Sequence, residues 1–172
     1  MKLKDLLYKV SIVKVIGTTD VEVLNIQFDS RRVVNGDLFV AISGDITDGH
    51  KYIEETILSG AKVIVVEKIP KNINNSITYI QVENSNEALG IIASNFYNNP
   101  SERIKLIGVT GTNSKTTVVS LLHQIFGLLN VKSGMLSTTH NKINDKVISS
   151  THTTPDALQI NYLLNKTNNH GI

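Results

Sequence analysis

Apolar and polar residues follow two different periods along the first hundred residues, which predicts alternating helices and strands. Leu3, Leu6 and Leu7 recur at helical spacing and predict a short amphipathic helix. Alternation or continuous apolar runs predict strands at residues 21–28, 38–42, 62–67 and 78–82. A further helix is predicted from Asp48, its N-cap, to Gly60. This order of elements favours a small α/β or α+β domain.

A third predicted helix precedes the domain boundary. Asn84 and Glu87 stand at capping-box spacing, and apolar residues then repeat at helical spacing over 89–96. Pro100 disfavours helical geometry at the residue before it, so the helix should end there. We therefore predict one domain at 1–99 and a second at 100–172.

The second domain opens with an apolar stretch, a turn of small residues and a helix. Residues 104–110 are predicted as a strand, and 115–130 as a helix with one apolar face. A turn between them can wrap its backbone N–H groups around a polyphosphate at the helix N-terminus. Lys115 would supply the cation and the Thr116 hydroxyl a ligand for Mg²⁺. The alternative is an ordinary tight turn without a ligand.

The turn departs from the common phosphate-binding pattern of Gly, four residues, Gly, Lys, and Ser or Thr. Val109 and Ser114 occupy its two glycine positions. If the backbone needs a positive φ at Ser114, a residue with a side chain costs about 1 kcal/mol there. We therefore expect reduced affinity for a nucleotide.

Composition removes several classes of protein. The 172 residues carry 17 basic and 15 acidic side chains, and this near-balance gives no sign of a nucleic-acid or membrane partner. The absence of cysteine excludes a disulfide framework and a thiolate metal site. The N-terminus has no apolar signal core, and no apolar run is long enough to span a membrane. A cytoplasmic protein is expected.

Three ordered motifs resemble one family. Residues 106–117, LIGVTGTNSKTT, resemble the ATP loop of the Mur ligases, usually TGTNGKT. Residues 29–31, 36–41 and 48–50 (DSR, GDLFVA and DGH) look like the N-terminal domain of MurE-type ligases. The segment 153–156, TTPD, is similar to a stretch that contacts the same substrate in their central domain.

The resemblance implies a fold and an activity. The fold would be a small N-terminal α/β domain followed by the beginning of a mostly parallel, P-loop ATPase domain. The activity would be ATP-dependent amide formation in peptidoglycan precursor synthesis, with ATP and Mg²⁺ as cofactors. Through an acyl phosphate, meso-diaminopimelate or L-lysine would be added to UDP-N-acetylmuramoyl-L-alanyl-D-glutamate. A monomer acting on small molecules is expected.

The same resemblance assigns the candidate residues. ATP would be bound by Gly111, Thr112, Asn113, Ser114, Lys115, Thr116 and Thr117, with Lys115 catalytic and Thr116 holding Mg²⁺. The UDP substrate would be contacted by Phe28, Ser30, Asp45, Ile46, Thr47, His152, Thr153 and Thr154. Arg31 could approach the diphosphate, and His50 is expected to be structural. Locally, Thr154 and Pro155 predict the N-cap and first residue of a helix.

The family's members are considerably longer, and their remaining metal-binding and amino-acid-binding residues would lie beyond Ile172. We therefore expect the coding sequence to continue past Ile172 and this chain to be inactive alone. One alternative is a non-catalytic module that binds the UDP-sugar peptide, which Ser114 favours. Another is a ligase like folylpolyglutamate synthase, which shares the ATP loop but should lack the motifs at 29–31 and 36–39.

Overall fold

The chain folds into two compact units, each described here by itself. The computed structural model describes residues 1–44, 47–144, 146–148 and 155–169. The first unit is Met1–Phe96 and the second is Tyr97–Ile172. Asn98 and Asn99 have φ angles of 59° and 50°, a left-handed conformation that cannot continue a right-handed helix.

The first unit is built on a five-stranded sheet. Its strands are β1 (Ile12–Ile16), β2 (Ile26–Gln27), β3 (Leu38–Val40), β4 (Val63–Val66) and β5 (Thr78–Val82), in the order β1-β5-β4-β3-β2. Strands β2 to β5 are parallel, and β1 pairs antiparallel with β5. The predicted α/β class is confirmed. Strand β1 was not predicted, and the strand predicted at 21–28 is reduced to two residues.

Side chains on both faces of this sheet are buried. Its helices are α1 (Leu3–Leu6), α2 (Ile53–Leu58) and α3 (Ser85–Phe96), with 3₁₀ turns at Ser30–Arg32 and Gly49–Tyr52. Phe39, Ile64 and Tyr79 pack with Ile53 of α2 in one apolar cluster. The alternate strand residues, which point to the opposite face, are also fully buried: Leu38, Val40, Val63 and Val65. A parallel sheet covered on both faces is the expected arrangement.

Helix α3 is capped at one end and linked to α1 near the other. The Asn84 side chain accepts a hydrogen bond from the Glu87 N–H at 3.0 Å, as the capping pattern predicts. The buried Asn95 amide donates to the carbonyls of Leu6, at 2.9 Å, and Tyr8, at 2.7 Å. The end of α1 is therefore held by a residue almost ninety positions away in the chain.

The second unit combines two helices with a small antiparallel sheet. Its elements are α4 (Lys115–Leu128), β6 (Gly134–Met135), β7 (Asn141–Ile143), β8 (Lys146–Ile148) and α5 (Ala157–Asn169), with a 3₁₀ turn at Pro100–Glu102. The strand order is β6-β7-β8. His123 of α4 bonds to the Ser133 hydroxyl at 2.8 Å and the Asn144 carbonyl at 3.1 Å. These contacts fasten α4 to the sheet.

Two predictions for the second unit are wrong. Residues 104–110 form no strand, and Leu106 and Ile107 are more than half exposed, because a strand needs a neighbouring backbone to pair with. Helix α5 begins at Ala157, where the Asp156 side chain accepts a hydrogen bond from the Gln159 N–H at 2.8 Å. Asp156 therefore caps it, and Pro155, predicted as its first residue, lies outside the helix.

Within the described ranges, no helix is both long and apolar enough to cross a membrane.

Candidate functional site

The predicted phosphate loop, residues 111–114, leads directly into α4. All four loop residues are exposed, and Gly111 has a φ of 151°. The helix begins at Lys115, and the Val118 N–H makes its first backbone bond to the Ser114 carbonyl at 3.0 Å. The N–H groups before Val118 have no partner inside the helix, so they are free to point at an anion.

Ser114 adopts a left-handed conformation, the case in which the sequence predicts that its side chain is unfavourable. Its φ and ψ are 61° and 7°, and its side chain makes no capping hydrogen bond to the helix. A residue with a Cβ costs about 1–2 kcal/mol in this conformation. The position is therefore one where glycine would be relaxed and serine is strained.

Lys115 folds back over the loop. Its ammonium donates to the carbonyl of Gly111 and, at 3.3 Å, to that of Thr112. The positive charge is thus held at the exposed mouth of the loop, beside the helix N-terminus, where both would attract a phosphate group.

Thr116 has a neighbour that the sequence did not indicate. Its hydroxyl lies 3.5 Å from the hydroxyl of Thr138, in the segment between β6 and β7. Hydroxyl oxygens are hard donors that suit Mg²⁺, so the pair fits the metal predicted here. In the part of the chain that the structure describes, no group of three or more His, Cys, Asp or Glu side chains could hold a metal.

A groove of about 740 Å³ lies near the other end of α4. Its lining includes His123, Leu128, Lys132, Lys142 and Asn144. No residue predicted to bind ATP lines it, so the phosphate loop is a separate, exposed feature of the second unit.

The candidate UDP-substrate residues gather at one edge of the first unit's sheet. Strands β2, β3 and β4 are parallel, so the residues that follow them share the edge formed by their carboxyl ends. Phe28 and Ser30 follow β2, the segment from Ser43 to Asp48 follows β3, and Glu67 follows β4. Ligands of parallel sheets bind at this edge.

Ser30 begins a 3₁₀ turn that Asp29 caps. The Asp29 carboxylate accepts from the Arg31 backbone N–H at 3.2 Å and from its guanidinium twice, at 2.8 Å each. The bidentate pair with Arg31 lowers the pKa of Asp29. Phe28 and Ser30 are half-buried beside this pair. The guanidinium of Arg31, the residue expected near a diphosphate, pairs with Asp29 and remains exposed.

The second candidate segment, after β3, is closed by backbone bonds. The Gly44 N–H donates to the Thr47 carbonyl at 3.1 Å, and the Gly49 N–H to that of Ile42 at 2.8 Å. Thr47 is exposed at this closed turn. The Asp48 side chain caps the following 3₁₀ turn, accepting from the His50 N–H at 3.0 Å, as predicted.

The remaining candidates lie outside the described residues: Asp45, Ile46, His152, Thr153 and Thr154.

Family models match both halves of the chain. The model for the Mur ligase family, catalytic domain, matches residues 22–97, and that for the Mur ligase middle domain matches residues 109–172.

Curated relatives match nearly the whole chain. The UDP-N-acetylmuramoyl-L-alanyl-D-glutamate--2,6-diaminopimelate ligase of Cytophaga hutchinsonii is 53% identical over 95% of this chain and 34% of its own length. The protein of the same name from Bacteroides fragilis is 43% identical over 99% of this chain and 35% of its own length. The chain therefore spans about a third of the length of these relatives.

Solved structures match the fold. A structure of UDP-N-acetylmuramoyl-L-alanyl-D-glutamate--2,6-diaminopimelate ligase superposes with a TM-score of 0.74 at 20% identity, covering 99% of this chain and 34% of that one. The MurF ligase of Thermotoga maritima in complex with ADP matches with a TM-score of 0.50 at 30% identity. This second match covers 66% of this chain and 25% of that one.

Proposed function

Because this chain belongs to the Mur ligase family, we propose that it contributes the UDP-substrate site and the phosphate loop of an ATP-dependent amide-forming ligase. The proposed product is a peptidoglycan precursor, made by joining a diamino acid to UDP-N-acetylmuramoyl-L-alanyl-D-glutamate. The observation that carries the proposal is the 53% identity, over 95% of the chain, with a relative that bears this activity in its name.

We propose meso-diaminopimelate, and not L-lysine, as the diamino acid. Two close relatives, from Cytophaga hutchinsonii and Bacteroides fragilis, are named as 2,6-diaminopimelate ligases. None of the candidate residues of this chain is proposed to contact the diamino acid. The choice of diaminopimelate therefore rests only on the names of these two relatives.

In the proposed reaction, a substrate carboxylate oxygen attacks the γ-phosphorus of ATP, and the bond to ADP breaks. The amine of the diamino acid then attacks the acyl carbon, the bond to the phosphate oxygen breaks, and the amine loses a proton. Lys115 and the free amides of α4 offset negative charge on the phosphoryl group during the first step. The hydrogen bonds of the Lys115 ammonium to two loop carbonyls support this proposed role.

Mg²⁺ fits this site through the Thr116 hydroxyl, with Thr138 beside it. When bound, the ion would neutralise phosphate charge and orient the polyphosphate. The chain's own contribution is to hold the two hydroxyls together at the first turn of α4, which begins at Lys115.

The UDP-substrate half of the proposal rests on the carboxyl edge of the first unit's sheet. Ser30 and Thr47 offer hydroxyl groups there, and Phe28 offers an aromatic face for the uracil. Thr153 and Thr154 keep their proposed contacts with the same substrate, as do Asp45, Ile46 and His152. We propose a cytoplasmic monomer, and assign turnover to a protein of the relatives' length.

A second candidate function is binding of the UDP-sugar peptide without turnover. The strained, left-handed conformation of Ser114 in the phosphate loop favours it. Under this alternative the first unit keeps its ligand, while ATP binds too weakly to measure.

Calorimetry of the 172-residue chain tests both halves separately. We expect heat on adding UDP-N-acetylmuramoyl-L-alanyl-D-glutamate, and weaker binding in Ser30→Ala. Ser76→Ala is the matched control, since Ser76 is exposed and lies before β5, at the opposite edge of the sheet. No heat with the wild-type chain would exclude the substrate assignment, and equal binding in both variants would exclude Ser30.

ATP is titrated in the same way, with Mg²⁺ present. We expect weak but measurable binding that disappears in Lys115→Ala, because the loop loses its cation. Measurable binding supports the ligase over the binding module. Undetectable ATP binding in the wild-type chain, with intact binding of the UDP substrate, would favour the module.

A further inference from the structure

Glu67 uses all of its polar groups at the carboxyl edge of the first unit's sheet. One carboxylate oxygen accepts from the Ser85 N–H at 3.0 Å and hydroxyl at 2.8 Å, and the other from the Ser43 hydroxyl at 3.3 Å. Its backbone N–H donates to Nε2 of His50 at 3.0 Å. Its carbonyl accepts from the Gln81 side chain at 3.1 Å. Glu67 is thus fixed between α3 and the segment after β3.

His50 links Glu67 to Asp48, at the other end of the segment that follows β3. Its Nε2 accepts from Glu67, so the ring proton of a neutral imidazole lies on Nδ1, which donates to Asp48 at 2.8 Å. Only 16% of the His50 side chain is exposed. Both ends of the turn, Ser43 and Asp48, are therefore tied to Glu67, one directly and one through the imidazole.

The turn has little freedom at its base. Ser43 and Asp48 form an antiparallel bridge. A Cβ added to Gly49 would lie 2.8 Å from the Ile42 backbone nitrogen and 3.0 Å from its oxygen, so the two chain segments are in direct contact. Residues at the base of the turn that are fixed before the ligand arrives lose less conformational entropy on binding.

We propose that Glu67 and His50 are positioning residues, which hold the two ends of this turn, Ser43 and Asp48, in place where the uridine part of the substrate is proposed to bind. This inference rests on the proposed function, which places uridine contacts on Thr47 and its neighbours. Neither residue touches the nucleotide. Each acts by fixing one end of the turn.

The test measures binding of UDP to the 172-residue chain by calorimetry, beside the thermal midpoint of each variant. His50→Phe keeps a ring but removes both hydrogen bonds, and should weaken UDP about fivefold to tenfold. His50→Gln can place its amide oxygen where Nε2 accepts from Glu67, so it should restore most of the affinity. Rescue by Gln separates positioning from a need for bulk.

A second pair of variants keeps the test valid if His50→Phe does not fold. Ser43→Ala removes the contact to the exposed turn, and Ser85→Ala removes a contact of the same carboxylate to α3. We expect Ser43→Ala to weaken UDP binding at an unchanged thermal midpoint, and Ser85→Ala to lower the midpoint with smaller effect on UDP.

Hydrogen exchange in the ligand-free protein reports the turn directly. The Gly44 and Gly49 amides should lose protection in His50→Phe and keep it in His50→Gln.

The outcomes separate the two proposals. A wild-type chain that does not bind UDP overturns the proposed substrate site and this inference with it. UDP binding that is equal in wild type, His50→Phe and Ser43→Ala overturns the inference alone. A loss of affinity that follows the thermal midpoint in every variant, including His50→Gln, also overturns it, because the network would then be purely structural.

Discussion

Helices α3 and α4 carry similar apolar stripes but end in opposite environments. In α3, Leu89 is 3% exposed and Ile92 is fully buried. In α4, the described structure buries no residue, and Leu121 and Ile125 remain 52% and 49% exposed. Both sequences predict an amphipathic helix equally well.

The contrast shows that an apolar face in the sequence does not by itself determine whether the helix is buried, because burial requires another element to pack against it. Helix α3 belongs to a unit whose sheet is covered on both faces. The described strands of α4's unit are short, and the apolar stretch 104–110 pairs with none of them. Burial therefore contributes more to α3 than to α4, which is held to its neighbours by hydrogen bonds such as those of His123.

The largest test of this contrast compares Ile92→Ala with Leu121→Ala. The first leaves a cavity in a closed core and should lower the free energy of unfolding by about 2–5 kcal/mol. The second removes a side chain that is half exposed and should cost about 0.5 kcal/mol or less. Urea denaturation followed by circular dichroism measures both. A similar cost for the two would mean that the α4 face is covered in solution.

A smaller effect is expected for Asn95→Ala in the first unit. The substitution leaves the Leu6 and Tyr8 carbonyls without their side-chain donor and should cost about 1–3 kcal/mol. Asn86→Ala, exposed on the same helix, is the matched control and should be near neutral. If the two variants have the same thermal midpoint, the Asn95 hydrogen bonds do not stabilise the position of α1.

In the second unit, Ser114→Gly should be stabilising. Glycine removes the strain of a side chain at φ 61°, offset in part by its greater freedom when unfolded, for a net gain of about 0.5–1 kcal/mol. ATP should also bind more tightly, since no Cβ stands near the phosphates. Ser114→Ala keeps the Cβ and should show neither gain. Weaker ATP binding in both variants would instead make the serine hydroxyl a ligand.

The smallest predicted effect is on the pH dependence of stability. The Ser85 backbone N–H, followed by its hydroxyl, lowers the pKa of Glu67 below its ordinary 4.5. The unfolded chain therefore takes up this proton first, so the stabilisation is present above pH 4.5 and is lost as the pH falls through the lower, folded pKa. Across this range, the free energy of unfolding should depend less on pH in Glu67→Gln than in the wild type. In Glu54→Gln, a control at an exposed position, it should depend on pH as in the wild type.

The sequence predicted correctly those strands whose own apolar pattern indicates that they are buried. Strands β4 and β5 were placed within a residue because their runs are apolar and enclosed by polar turns. Strand β1 was not predicted, although Ile12–Ile16 is also an apolar run; it lies at a sheet edge and is largely exposed. The strand predicted at 104–110 does not form, since apolar composition does not provide a pairing partner.

The site divides in the same way. The phosphate loop is contiguous, so the positive φ of Ser114 and the place of Lys115 could be foreseen from the chain. Glu67 and Thr138 could not, because tertiary structure brings them to Ser43 and Thr116 from more than twenty positions away. The spacing of residues along the sequence does not indicate contacts of this kind.

The pairing of β1 with β5 has a consequence for synthesis on the ribosome. The first sixteen residues emerge early, yet β1 pairs with Tyr79–Val82 and α1 is held by Asn95. Until those residues leave the exit tunnel, β1 has no strand to pair with and α1 lacks its hydrogen bonds from Asn95, so apolar side chains of this segment are open to chaperones. The first unit should therefore fold late in its own translation, in a single step that closes once α3 has emerged.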